Sequence, residues 1–158
     1  MADLHETIET QLESLMPMLE ERGSKVEVRL SATKPLIAFD PRRIEQVVMN
    51  LMTNAIRYGL PCGLIRIETR DVPNAGEIEV SVEDDGAGIP EADRERLFAP
   101  FVRGADAHKA EHGLGIGLAI CRRIVVAHHG QIHVEAAAQG GARFVFSLPR
   151  ETVAATEA

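Results

Sequence analysis

The sequence predicts an α+β domain in which a largely antiparallel sheet is covered by helices on one side. Three observations carry this. Short segments alternate with a period of two, so that Val26, Val28 and Leu30, then Ile65 and Ile67, then Ile132 and Val134, then Phe144, Phe146 and Leu148 each share one face. That is the pattern of strands buried on one side only. Longer segments repeat their apolar residues at helical spacing. Strands and helices do not alternate as βαβ units, which counts against a Rossmann or P-loop reading of the glycines. A chain of 158 residues suggests one domain with room for a real core. With 45% hydrophobic but only 4% aromatic residues, that core must be aliphatic.

In chain order, residues 3–22 read as an amphipathic helix on Leu4, Ile8, Leu12, Leu15 and Leu19, with Gly23 as its stop. Residues 25–30 alternate as a strand, and 36–39 form a short apolar one. Asp40 and Pro41 give a cap and a first-turn proline for a helix running to about Arg57, ended by Gly59. Residues 63–72 and 77–85 alternate as strands around the turn-like 73–76. Residues 90–98 read as a short helix, and 102–112 as a loop. A helix over 114–128 ends at His128, His129 and Gly130; the histidines there meet the negative end of the helix dipole, so positive charge on them is favourable. Residues 131–138 and 142–149 make a final hairpin around Gln139, Gly140 and Gly141, and residues 151–158 read as a disordered tail.

Composition excludes several classes. No apolar run approaches the ~20 residues of a membrane span, and the N-terminus lacks the basic and apolar regions of a signal peptide. Cys62 and Cys121 make no disulfide framework, which points to a reducing cytoplasm. A net charge of −7 argues against non-specific nucleic-acid binding and requires local cations around any anionic ligand.

Chemistry concentrates in three places. Residues 82–90, VEDDGAGIP, end a strand in acids and a Gly-x-Gly turn. Continuing the alternation of Ile78, Val80 and Val82 aims Asp84 at the apolar layer, while Glu83 and Asp85 point away. One reading is an acid already in solvent beyond the strand. The other is a carboxylate held to accept a hydrogen bond from a ligand amine such as adenine's, with Gly86 and Gly88 allowing close backbone approach. On the helix over 41–57, Ile44, Val47, Val48, Leu51, Met52 and Ala55 form an apolar face. Asn50, Asn54 and Arg57 make a separate stripe roughly 60° wide. It is either a solvated face or a set of groups for a phosphate-bound Mg²⁺, which takes hard oxygen ligands. Tyr58 is either core or a base-pocket wall. Finally, Gly113, Gly115 and Gly117 stand at a helix entrance, where free N–H groups attract phosphate, after a loop carrying Arg103, Lys109 and His112. The alternatives are a packed or flexible joint and a solvated loop.

Together, in order, NLMTNAIRYG, DDGAGI, RLFAPFVRG and GLGIGLAI resemble the N, G1, F and G2 boxes of the catalytic ATP-binding domain of bacterial sensor histidine kinases, with Gly140 and Gly141 at the place of a final glycine motif. The resemblance spans nearly the whole chain and places the domain at residues 1–150. It implies the Bergerat fold, a two-layer sandwich with a mixed, mainly antiparallel sheet under three helices. It implies ATP with Mg²⁺, and transfer of the γ-phosphate to a histidine on a separate dimerisation and acceptor domain, with a response regulator downstream. Carried over, Asn54 binds Mg²⁺, and Asn50, Arg57 and Arg103 serve phosphates or the reacting centre. Asp84 reads the adenine amine beside Tyr58. Gly86, Gly88, Ile89, Phe98, Lys109, Gly113, Leu114, Gly115, Ile116, Gly117 and Leu118 complete the nucleotide site, with Phe98 and Phe101 anchoring a lid. Two positions depart from the pattern. Leu114 replaces a frequent Ser or Thr, removing a hydroxyl contact to phosphate. Ala87 replaces a frequent Pro, loosening the turn.

Relatives of gyrase, Hsp90 and anti-sigma-factor type place a general-base Glu four residues before the metal-binding Asn. Here that position is Asn50, whose neutral amide takes no proton, so histidine is the favoured acceptor over water or serine. His5 is read as a surface or helix-start histidine, since Thr7, Ile8 and Glu9 do not continue an acceptor segment. The expected state is a monomeric, cytoplasmic domain without membrane contact. The competing class is a nucleotide-binding regulatory module without phosphotransfer.

Overall fold

The computed structural model describes residues 1–100, 117–138 and 140–151. Helix α1 spans Leu4–Arg22. Its N-cap is Asp3, whose carboxylate accepts from the N–H groups of His5 (2.8 Å) and Glu6 (3.1 Å). Gly23 ends it in the left-handed region at φ 70°, which its missing Cβ permits. Helix α2 spans Pro41–Tyr58; Asp40 caps it, and Ile44, Val47, Val48, Leu51, Met52, Ala55 and Ile56 are its buried face. Helix α4 spans Gly117–Ala127. The segment expected as one helix over 90–98 is instead a four-residue α3, Glu91–Arg94, followed by a 3₁₀ turn, Arg96–Phe98.

The main sheet has the order β2-β4-β5-β7-β6, from Lys25–Leu30, Leu64–Val72, Glu77–Glu83, Ala142–Pro149 and Ile132–Ala136 respectively. β2 runs parallel to β4, and the other three pairings are antiparallel. β2, α2 and β4 therefore form one βαβ crossover, contrary to the sequence expectation. Period alone does not reveal which strands become neighbours, and the α2 segment supplies the length that a parallel return requires. The short strand is only β3, Leu36–Ile37, and it pairs outside the main sheet with β1, Ala2–Asp3.

One face of the sheet and the helices share a single core that joins Ile65, Ile67, Ile78, Val80, Val82, Phe144, Phe146 and Leu148 to Leu4, Ile8, Leu51 and Val125. Val28 departs from the expected buried face, at 44% exposed, because β2 is the last strand of the sheet and has a neighbour on one side only. His5 does begin a helix, but it is tied down: Nε2 lies 2.8 Å from the Thr69 hydroxyl on β4. Among the described residues no helix is long and apolar enough to cross a membrane.

Candidate functional site

β5 stops at Glu83, and Asp84 follows it into the protein at 6% exposure. The Asp84 N–H donates to Ala142 O (3.0 Å), continuing the ladder with β7 by one bond. Its Oδ1 accepts from Gly86 N–H (2.9 Å) and Ala142 N–H (3.3 Å). Among the described residues Oδ2 accepts from none. Burial pushes this carboxyl above the usual range, the two N–H donors pull it down, and the charges of Asp85 and Glu83 add to the rise. Among the described residues no cation pairs with it.

The surrounding glycines are set by backbone proximity. A Cβ on Gly141 would stand 1.9 Å from Asp84 O, and one on Gly86 would stand 2.2 Å from Tyr58 O. Gly86 thus allows a close approach to the end of α2. Gly88 has φ 75° and faces the Gly140 carbonyl. Asp85 turns away from Asp84, as its register predicts, and accepts from Leu60 N–H (3.2 Å) and Leu64 N–H (2.9 Å).

On α2, Asn50 and Asn54 are half-buried and Arg57 is exposed. Tyr58 is 50% exposed, which removes the core reading. The Asn50 amide donates to the carbonyl of Gly117 (3.3 Å), linking α2 to the first residue of α4. Below it lies the fully buried Cys121, whose thiol burial pushes up to about 11, leaving it unreactive at neutral pH. Leu118 and Ile89 pack half-buried on the rim of the core. Phe98, at 4% exposure, meets Phe144 edge-on at 6.4 Å and lies under the Arg122 guanidinium at 4.8 Å. Arg122 also pairs with Glu95 at 2.6 Å. Phe98 is therefore a packing anchor between the 3₁₀ turn and α4. Arg103, Lys109, Gly113, Leu114, Gly115 and Ile116, with Phe101 and His112, lie outside the described residues.

Two residues that frame α2 escaped the sequence reading. Arg22, ending α1, donates through Nη2 to the carbonyls of Arg57 and Gly59, each at 3.2 Å, and so caps the C-terminus of α2. His128, just past α4, accepts from Asp40 N–H at Nε2 (3.1 Å) and lies 2.7 Å from Ile124 O at Nδ1. In this arrangement Nε2 serves as the acceptor and Nδ1 as the donor. The one available signal was a basic residue in the last turn of α1, and it did not name its partner.

A family model described as histidine kinase-, DNA gyrase B-, and HSP90-like ATPase matches residues 39–152, and the chain belongs to this family. Among solved structures it is similar to the catalytic domain of histidine kinase ThkA, at TM-score 0.81 and 30% identity over 94% of this chain and 93% of that one. It is thus a catalytic domain of histidine-kinase type. Among curated relatives it is 39% identical over 150 residues to the adaptive-response sensory kinase SasA of Synechococcus sp. (strain JA-2-3B'a(2-13)), covering 90% of this chain. The chain spans only 39% of that relative's length. A structure of ThkA in complex with the response regulator protein TrrA matches at TM-score 0.80 and 28% identity, over 96% of this chain and 41% of that one.

Proposed function

We propose that the domain binds Mg-ATP and donates the γ-phosphate to a histidine on a separate dimerisation and acceptor domain, acting as a cytoplasmic monomer ahead of a response regulator. The observation that carries this reading is Asp84, a buried carboxylate with one oxygen tied to the backbone and the other without a partner among the described residues. It stands beside the last turn of the helix that bears the amide stripe. An adenine amine supplies the donor that Oδ2 lacks.

The residues present fit a magnesium ion. Asn54 is a half-buried amide that makes no hydrogen bond among the described residues, and its oxygen is a hard donor. When bound, Mg²⁺ would neutralise phosphate charge during transfer. Arg57 adds an exposed cation on the same stripe. Asn50 supplies no base, and its amide is engaged with Gly117 O, which supports an acceptor that is already nucleophilic over water or serine. Arg103, Lys109 and the glycines 113, 115 and 117 belong to this proposal as phosphate contacts.

The test is transfer from γ-labelled ATP to a separately made acceptor domain. Acid-labile, alkali-stable label on a histidine is expected, with none on the domain itself in the absence of acceptor. Acid-stable label on serine, or binding without any transfer, would replace this reading with the serine-kinase or regulatory one.

A further inference from the structure

The C-terminal turn of α2 and the acidic loop are interlocked by two side chains, Arg22 and Asp85. Arg22 reaches from α1 to the carbonyls of Arg57 and Gly59, and its Nε is buried without a partner of its own among the described residues. The side chain as a whole is half-buried, so only this nitrogen is shut off from water. Asp85 closes the opposite side, one oxygen on Leu60 N–H and the other on Leu64 N–H. Its carboxylate lies so close over the loop that a Cβ on Gly63 would be 2.5 Å from both oxygens. Arg22 is itself fixed to that loop, since its carbonyl accepts from Cys62 N–H at 3.2 Å. Between these clamps the Tyr58 carbonyl packs on Gly86, and a Cβ on Gly59 would be 3.5 Å from the Asp84 Cβ.

We propose that Arg22 and Asp85 are positioning residues of the base site: they fix residues 57–64 against 84–86, and so set where the free oxygen of Asp84 stands. Asp84 and Asp85 are adjacent in sequence and divide two tasks. One carboxylate faces the ligand, and the other spends both oxygens on backbone donors that hold the first in place. The inference rests on the reading of Asp84 as the adenine contact.

Positioning and general stability are separated by comparing Mg-ATP with Mg-ITP, whose base carries a carbonyl where adenine carries its amine. Titration calorimetry on the full chain should show that the unaltered protein prefers ATP and that Asp84→Asn abolishes the preference. Arg22→Ala and Asp85→Asn should each weaken ATP about tenfold while leaving ITP within about twofold, the scale of one displaced hydrogen bond. Arg22→Lys, which keeps a donor for both carbonyls, should recover ATP to within about threefold. Should Arg22→Ala fail to fold by circular dichroism, Arg22→Lys and the isosteric Asp85→Asn decide the matter. Equal losses for ATP and ITP in those variants, or no loss, would overturn the positioning role while Asp84→Asn still upholds the base contact. An unaltered protein with no preference for ATP, or an Asp84→Asn variant that retains it, would overturn both.

Discussion

The outer face of the sheet and the acidic loop both gather carboxylates, and they treat them in opposite ways. On the outer face acids and arginines stand opposite one another across strands: Glu27 with Arg66, Arg29 with Glu68, Arg66 with Glu83, Arg70 with Glu79, and Glu135 with Arg143. Arg66 reaches Glu27 at 3.1 Å and Arg70 reaches Glu79 at 2.7 Å. The Arg66 bond holds the Glu27 carboxyl below its usual range. In the acidic loop Asp84 is more deeply buried than any of these, has no described cation beside it, and is pushed the other way. Paired, solvated charge adds little to folding, and an unpaired buried carboxylate works against it. The costly group is the one we propose to be kept for a ligand, the pattern expected of functional sites.

The largest expected effect comes from filling the space that the buried acid needs. Gly141→Ala places a Cβ 1.9 Å from Asp84 O. It should cost on the order of 3 kcal/mol in denaturant unfolding and remove nucleotide binding. A midpoint unchanged in urea would show that β7 gives way easily and that the site is less rigid than this packing implies.

Next is Asp84→Asn. ATP and ADP affinity should both fall about ten- to a hundredfold in calorimetry, since the lost contact is to the base. The ligand-free variant should nevertheless melt at the same temperature as the parent or higher at neutral pH. The sign follows from the raised carboxyl. A folded-state pKa above the unfolded value gives stability that is full below the unfolded value and lost as pH rises through the folded one. The melting advantage of the variant should therefore shrink as pH falls from neutral through the carboxylate range. An advantage that grows on acidification would mean the parent's ionised form is the stabilised one.

Asn54→Ala sharpens the comparison at the phosphate end. ATP binding with Mg²⁺ should weaken about tenfold, and binding in EDTA should change much less. Equal losses in both media would count against a metal role. The smallest effect belongs to the outer face. Arg70→Ala should change stability by less than about 1 kcal/mol, because Arg143 remains 3.7 Å from Glu79. What change there is should vanish in concentrated salt. A loss that persists in salt would show that the Arg70 stem acts by packing on its neighbours rather than by its charge.

Much of this was legible along the chain because it depends on neighbours in sequence. Asp3 and Asp40 cap helices through N–H groups two and three residues on. Asp84 continues a strand alternation by one step, so its inward aim needed only the period. The partner that holds it, the Ala142 N–H, is 58 residues away on β7. Likewise Arg22 caps α2 from 35 and 37 residues off, and His128 meets Asp40 across 88. No local pattern encodes those meetings. For the same reason the parallel pairing of β2 with β4 and the exposure of Val28 were missed: both depend on which strand lies beside which.

The sequence by itself determined the motif order, the helix caps, the apolar face of α2 and the side of the strand on which Asp84 falls, since each follows from short-range periodicity and the chemistry of single residues. Only the tertiary structure decided that Gly86 and Gly141 are required by backbone contacts from α2 and β5. It alone decided that Asp85 spends both oxygens on Leu60 and Leu64 while Asp84 ties one to Gly86 and Ala142, and that α2 is held at its two ends by Arg22 and His128. Those outcomes depend on close approach between segments far apart in sequence, where a tenth of a nanometre separates a hydrogen bond from a collision.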